Sequence, residues 1–185
     1  SRDNVIIRSV CGPDLTTIDA SGIAEKTVLF LDSSNNVLDG FTVTGATDLG
    51  LAGSESGVNL LRAPGAIVRN NRIVGNPIGI DVNETADCIL DNNLIDSNTR
   101  QGVNAHTGSN TTITGCTITH NGSAAGSDGA GIYYNGGVHT VSDSAISYNS
   151  AMVNGLGTGR GGGIHFNGVG AGTTVSNTVI ADNSA

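Results

Sequence analysis

Apolar residues recur along the chain in pairs set five residues apart. Leu38 and Val43, Val68 and Ile73, Leu90 and Ile95, Ile113 and Ile118, Val141 and Ile146, and Val175 and Ile180 make six such pairs. Side chains two apart share one face of a strand, so each pair predicts two short strands with a bend between them. Three residues beyond the second apolar position stands an Asn in five segments: Asn76, Asn98, Asn121, Asn149 and Asn183. The first segment has Ala46 there. A third short strand opens on a glycine each time, at Gly57-Val58, Gly79-Ile80, Gly102-Val103, Gly131-Ile132 and Gly163-Ile164.

The spacings turn these strands into a repeat. From the strand after each Gly to the next apolar anchor the distances are 10, 10, 10, 9 and 11 residues, and the following step is always five. From there to the next Gly-led strand the distance varies as 15, 7, 8, 14 and 18. Variation therefore collects at one corner of a unit whose minimal period is 22 residues. Such a unit cannot bury its own apolar face, and stacking neighbours does so. The pattern predicts an all-β parallel solenoid of six to seven coils, three short strands per coil, with the two apolar columns inside. Between them, Phe41, Asn71, Asn93, Cys116, Ser144 and Thr178 form a third column, in which Asn71 and Asn93 are placed for a buried hydrogen-bonded ladder. The corner Asn column is expected in the left-handed conformation that Asn tolerates.

Composition agrees. The chain has 28 Gly and only 3% aromatic and 13% charged residues, which suits bends and strands and not helical bundles. Its formal net charge of −8 makes nucleic acid and anionic membranes poor partners. No run of apolar residues is long enough to insert in a membrane as a helix. Cys11, Cys88 and Cys116 lack disulfide or zinc spacing and are expected as buried small hydrophobes. Residues 1–185 are expected to form one domain without capping elements, in the manner of a segment of a longer chain.

Leu38-Asp39-Gly40-Phe41-Thr42-Val43-Thr44-Gly45, the recurring Asn-x-Ile-x-x-Asn phrase of Asn71 to Asn76 and Gly161-Gly162-Gly163-Ile164 carry a resemblance. The chain resembles the right-handed parallel β-helix proteins of the pectate-lyase-like superfamily over nearly its whole length. Ile146-Ser147-Tyr148-Asn149 with the later Gly-Gly-Gly-Ile also looks like repeats of autotransporter passengers and polymorphic outer-membrane proteins. The resemblance implies right-handedness and, for the superfamily's enzymes, polysaccharide binding along one face. The galacturonase paired-aspartate and Gly-His-Gly elements, the lyase Trp-Ile-Asp-His phrase and the epimerase Tyr-Gly-Phe-Asp-Pro-His phrase have no counterparts here.

The first outward residue of each Gly-led strand gives the column Asn59, Asp81, Asn104, Tyr133 and His165. It runs beside the corner where loops lengthen, at 122–128 and 150–160. Asp81, Asn104, Tyr133, His165 and the loop residue Arg160 are the candidate polysaccharide-binding residues, set against the alternative of a solvated sheet face. Asp39, Arg69 and Asp91 share another outward column and read as an ion-pair ladder more readily than as a hydrolytic carboxylate pair. Asp81, Asn83, Glu84 and Asp87 supply oxygen ligands for a Ca²⁺ alternative, at a spacing unlike an EF-hand; otherwise no cofactor is expected. The leading functional expectation is an extracellular or cell-surface, non-catalytic β-helix, adhesive or self-assembling, stacked end to end with other copies or adjoining coils. The alternative is a polysaccharide lyase, a glycoside hydrolase or a glycan-binding β-helix.

Overall fold

The computed structural model describes residues 2–22, 25–48, 55–122, 128–151 and 159–185. Among them, strands assemble into three all-parallel sheets of seven, seven and six strands. The chain visits sheet 1, then sheet 2, then sheet 3, and returns one coil further along. In the second coil these visits are Val37–Asp39, Thr42–Thr44 and Ser56–Leu61. Seven coils result, each pairing with its neighbours in register: Leu38 sits beside Val68, Val68 beside Leu90, and Val43 beside Ile73.

The inner columns are as the spacing predicts through Val141 and Ile146. Val175 and Ile180, expected inside, are exposed at 38% and 49%, because no following coil packs on them among the described residues. Leu38, Val68, Leu90, Ile113 and Val141 are completely buried, and so are Val43, Ile73, Ile95, Ile118 and Ile146. Sheet 3 completes the core with Val58, Ile80, Val103 and Ile132. Parallel sheets with one face on a common core need such like-on-like columns, because each side chain packs on its counterpart one coil away.

One coil precedes the six read from the sequence. Its strands are Ile6–Arg8, Thr17–Asp19 and Lys26–Leu31. Ile7 pairs with Leu38 and Ile18 with Val43. These two partners lie eleven residues apart in the chain, where every later coil has five. A six-residue insertion at the sheet 1–sheet 2 corner therefore hides this coil from a spacing argument.

Two polar ladders run inside the solenoid. At the first corner, Asn71 Oδ1 accepts the Phe41 N–H at 2.9 Å and Asn93 Oδ1 accepts the Asn71 N–H at 3.0 Å. Cys116 and Ser144 continue the column with a thiol and a hydroxyl, the Asn93 N–H meeting Cys116 Sγ at 3.5 Å. At the second corner, Asn76, Asn98, Asn121, Asn149 and Asn183 form a longer ladder, each Oδ1 accepting the backbone N–H of the preceding coil at 2.9–3.2 Å. Each Nδ2 donates to a carbonyl of the preceding coil, as Asn98 does to Ile73 O at 3.2 Å. The expectation of a left-handed backbone at these Asn residues is corrected. The positive φ belongs to the residue before each: Gly75, Ser97, His120, Tyr148 and Asp182. That residue makes the bend, which turns the Asn side chain inward, where burial demands its hydrogen bonds.

The ladder also explains the glycines that open the third strand. A Cβ on Gly102 would stand 2.8 Å from Asn121 Nδ2, from Gly131 O and from Ile118 Cγ2. No real Cβ packs that closely, so the ladder of one coil excludes a side chain from the coil before it. Where Ala46 replaces the ladder Asn, the facing position on the preceding coil is Thr27 in place of Gly. Its hydroxyl donates to Thr44 O at 2.9 Å. This carbonyl is the counterpart of Val74 O, which Asn76 Nδ2 reaches at 3.1 Å.

Of the cysteines, Cys88 and Cys116 are buried and Cys11 is exposed, which corrects the expectation for Cys11. Burial pushes the Cys88 thiol up to about 12 and the Cys116 thiol to about 11, so both are inert thiols.

Candidate functional site

The outward face of sheet 3 carries the predicted column in one continuous register. Leu29 lies beside Asn59, Asn59 beside Asp81, Asp81 beside Asn104, Asn104 beside Tyr133, and Tyr133 beside His165. Strand alternation sends these side chains away from the apolar core.

The column divides into two parts. Asn59, Asp81 and Asn104 are buried even though they face outward, at 2%, 0% and 6% exposure. Asn59 Nδ2 donates to Asp81 Oδ2 at 2.9 Å, and Asn104 Nδ2 donates to Asp81 Oδ1 at 3.0 Å. His106 Nε2 lies 2.9 Å from Asp81 Oδ1. A carboxylate at that distance selects the tautomer with hydrogen on Nε2, and this hydrogen bond raises the His106 pKa above its ordinary value against the opposing effect of burial. The Asn59 and Asn104 Oδ1 atoms find no partner among the described residues.

The other part is more open. Tyr133 and His165 are half-buried, their ring centroids 5.3 Å apart and tilted by 60°. Asn167 Nδ2 donates to the Tyr133 hydroxyl and to Asn135 Oδ1, each at 3.2 Å. Asp128 Oδ1 accepts the Arg160 backbone N–H at 2.8 Å. Asp128 Oδ2 lies 3.5 Å from His165 Nδ1, within ion-pair range, but without hydrogen-bond geometry. It is a weak contact. The Arg160 side chain is exposed and makes no ion pair among the described residues. Most of the two longer loops, 123–127 and 152–158, lies outside the described residues.

Sequence reasoning missed three contributors. His106 stands two residues after Asn104, on the same outward face by simple alternation. Glu55 and Arg100 each stand two residues before a strand-opening Gly, an equal offset that puts them at one corner. There Arg100 Nη2 bonds Glu55 Oε2 at 3.0 Å and Asp48 Oδ2 at 2.8 Å. Glu55 is 1% exposed, and its Oε1 has no partner among the described residues.

The other candidates are also placed. Asp39 accepts from Arg8 at 2.8 Å, from Arg69 at 3.1 Å and from Asn70 at 2.9 Å. Burial alone would raise its pKa, yet these three donors hold it below the usual carboxylate value. The ion pairs thus join Arg8, Asp39 and Arg69, with Arg8 from the coil hidden in the sequence, whereas Asp91, expected in the same ladder, makes no ion pair among the described residues. Of Asp81, Asn83, Glu84 and Asp87, considered for Ca²⁺, the three carboxylates are not grouped. Among the described residues no three His, Cys, Asp or Glu side chains are grouped as metal ligands.

Coils of constant register, three parallel sheets and internal Asn ladders define a family. A family model described as the right handed beta helix region matches residues 3–184. The chain belongs to the right-handed beta helix family. No curated protein and no solved structure matches the chain. Membership supplies the handedness, which residue spacing leaves open, and it covers chains whatever their chemistry.

Proposed function

We propose that this right-handed β-helix is an extracellular, non-catalytic adhesive protein that binds glycan chains along the outward face of sheet 3. The observation that carries the reading is the Tyr133–His165 ring pair, half-buried, beside an exposed Arg160 side chain that makes no ion pair among the described residues. Sugar rings stack on aromatic faces, and their hydroxyls bond to amides and guanidinium groups. Parallel strands hold those groups at a fixed spacing of ~4.8 Å per coil, so the face is preorganised for an extended chain.

The buried half of the column supports a non-catalytic role. Asp81 spends both oxygens on Asn59, Asn104 and His106, and it is closed to solvent. A general acid or base must reach the proton it moves; Asp81 acts instead as a brace for Asn104 and His106. The polysaccharide lyase or hydrolase reading draws on the two carboxylate–imidazole contacts of this face, Asp81–His106 and Asp128–His165.

Glycan arrays followed by affinity electrophoresis test the proposal. Tyr133→Ala should weaken retention by about tenfold, the worth of one lost ring contact. Tyr133→Phe should retain most binding. Retention unchanged by Tyr133→Ala and His165→Ala together would overturn the assignment of this face. Release of new reducing ends or unsaturated products from a retained polysaccharide would overturn the non-catalytic role.

A further inference from the structure

A second polar-on-apolar surface lies on sheet 1, on another side of the solenoid. A depression of about 280 Å³ opens there across three successive coils. Ile89, Thr112 and Thr140 are register partners in one outward column and form one side of it. Asp87, Asn110 and Val138 form the other side, each immediately before a strand whose first residues, Cys88, Thr111 and His139, are themselves register partners. The six positions make a grid of two columns by three coils, with the apolar side chains at opposite corners. Ile89 is 37% exposed and Val138 43%.

The polar groups of this depression are largely unused. Asn110 Oδ1 accepts the Val138 N–H at 3.0 Å, which fixes the amide and leaves its Nδ2 donor without a partner among the described residues. The Asp87 carboxylate and the Thr112 and Thr140 hydroxyls make no hydrogen bond or ion pair among the described residues. This is the reverse of Asp81 and Asn104 on sheet 3, whose donors and acceptors are mostly spent on one another. Donors, acceptors and two apolar contacts therefore converge on one small concavity with little intramolecular satisfaction.

From this arrangement we infer that the sheet 1 depression is a binding site for a single neutral hexopyranose ring. The volume lies just below the roughly 300–1,000 Å³ of sites that enclose drug-sized ligands, so it takes one ring and not an oligosaccharide. A pyranose offers apolar C–H faces to Ile89 and Val138 and a rim of hydroxyls to Asp87, Asn110, Thr112 and Thr140. The lining holds a carboxylate and no cation, and the protein's net charge is −8. An anionic uronate ring is disfavoured on those grounds. The site does not rest on the sheet 3 reading, because it shares no residue with it.

Titration of the isotope-labelled full chain with methyl glucoside, methyl galactoside and methyl mannoside, followed by NMR, tests the site. At least one should give saturable shifts at the Ile89 and Val138 methyls and the Asn110 side-chain amide. Methyl galacturonoside should bind more weakly than its neutral counterpart. Asp87→Ala should lower affinity about tenfold, the loss of a charge-assisted hydrogen bond. Val138→Glu, at a solvent-facing position, should abolish the shifts while the backbone spectrum stays native. Tyr133→Ala should leave the shifts unchanged, which separates this site from sheet 3. The inference is overturned if no neutral glycoside gives saturable shifts here, if Val138→Glu leaves binding intact in a folded protein, or if the uronoside binds more tightly.

Discussion

A single residue's role in this solenoid depends on the coil beside it. Asn98 joins two coils by accepting the Asn76 N–H and donating to Ile73 O. Asn98→Ala would strand both groups in a buried setting, at a cost of about 2–4 kcal/mol; chemical denaturation should show that loss without a change in far-ultraviolet circular dichroism. Thr27 and Ala46 stand where other coils have Gly and Asn. Ala46→Asn alone should destabilise, because the new amide meets Thr27. Combined with Thr27→Gly it should recover, and the double-mutant cycle should give a favourable coupling of about 1–3 kcal/mol. Additive effects would mean that the two corners do not share space. The identity of the ladder Asn was legible in the sequence, but its backbone conformation was not. The left-handed bend falls one residue earlier, on residues as different as Gly75, His120 and Tyr148, so residue type alone could not locate it.

At the level of the strand, the Gly that opens each sheet 3 segment reports a contact between coils. Gly102 has an ordinary φ, and its constraint is the 2.8 Å approach that a Cβ would make to Asn121, Gly131 and Ile118. Gly102→Ala should therefore cost about 1–3 kcal/mol by overpacking. Gly12→Ala, with nothing near its Cβ, carries only the penalty of its positive φ. Equal losses at both sites in thermal unfolding would refute the packing explanation. Alternation along each strand was enough to assign the outward column of Asp81, Asn104, Tyr133 and His165. It did not reveal that Asp81 and Asn104 are closed off, since burial of an outward side chain depends on lateral neighbours such as His106. The first coil escaped notice for a related reason: an insertion at one corner changes sequence spacing without moving the strands it joins.

Across the whole molecule, two histidines pull the pH dependence of stability in opposite directions. His106 has its pKa raised by the hydrogen bond to Asp81, so its contribution is full below its unfolded pKa and is lost as pH rises through the higher folded value. His139 has its pKa lowered by burial. It sits in the interior, stacked on Tyr134 at 3.8 Å, with Nε2 2.7 Å from Gly136 O and Nδ1 3.1 Å from Thr111 Oγ1. The unfolded chain protonates this imidazole more readily than the folded one, so stability falls as pH drops below the unfolded value of about 6.5. The carboxylates of Asp19, Asp32 and Asp39, all held below their ordinary pKa, add to the same acid limb at lower pH. Denaturation midpoints between about pH 5 and 8 should trace a maximum, and His139→Gln should flatten the decline near pH 6 relative to the native chain. An unaltered acid limb in a folded His139→Gln protein would remove His139 from this account.

By itself the sequence determined the class of fold, the period, the inner columns and the outward order of the sheet 3 residues. Those properties follow from strand alternation and from the need of a short repeat to bury its apolar face on its neighbours, and both are written in spacing. Only the tertiary structure decided which polar groups are free. Asp81 is consumed by Asn59, Asn104 and His106 from adjoining coils, whereas Asp87, on a neighbouring turn of the same chain, makes no hydrogen bond or ion pair through its carboxylate among the described residues. Two aspartates six residues apart differ in this way because hydrogen bonds and burial are set between coils, across distances of 22 residues or more.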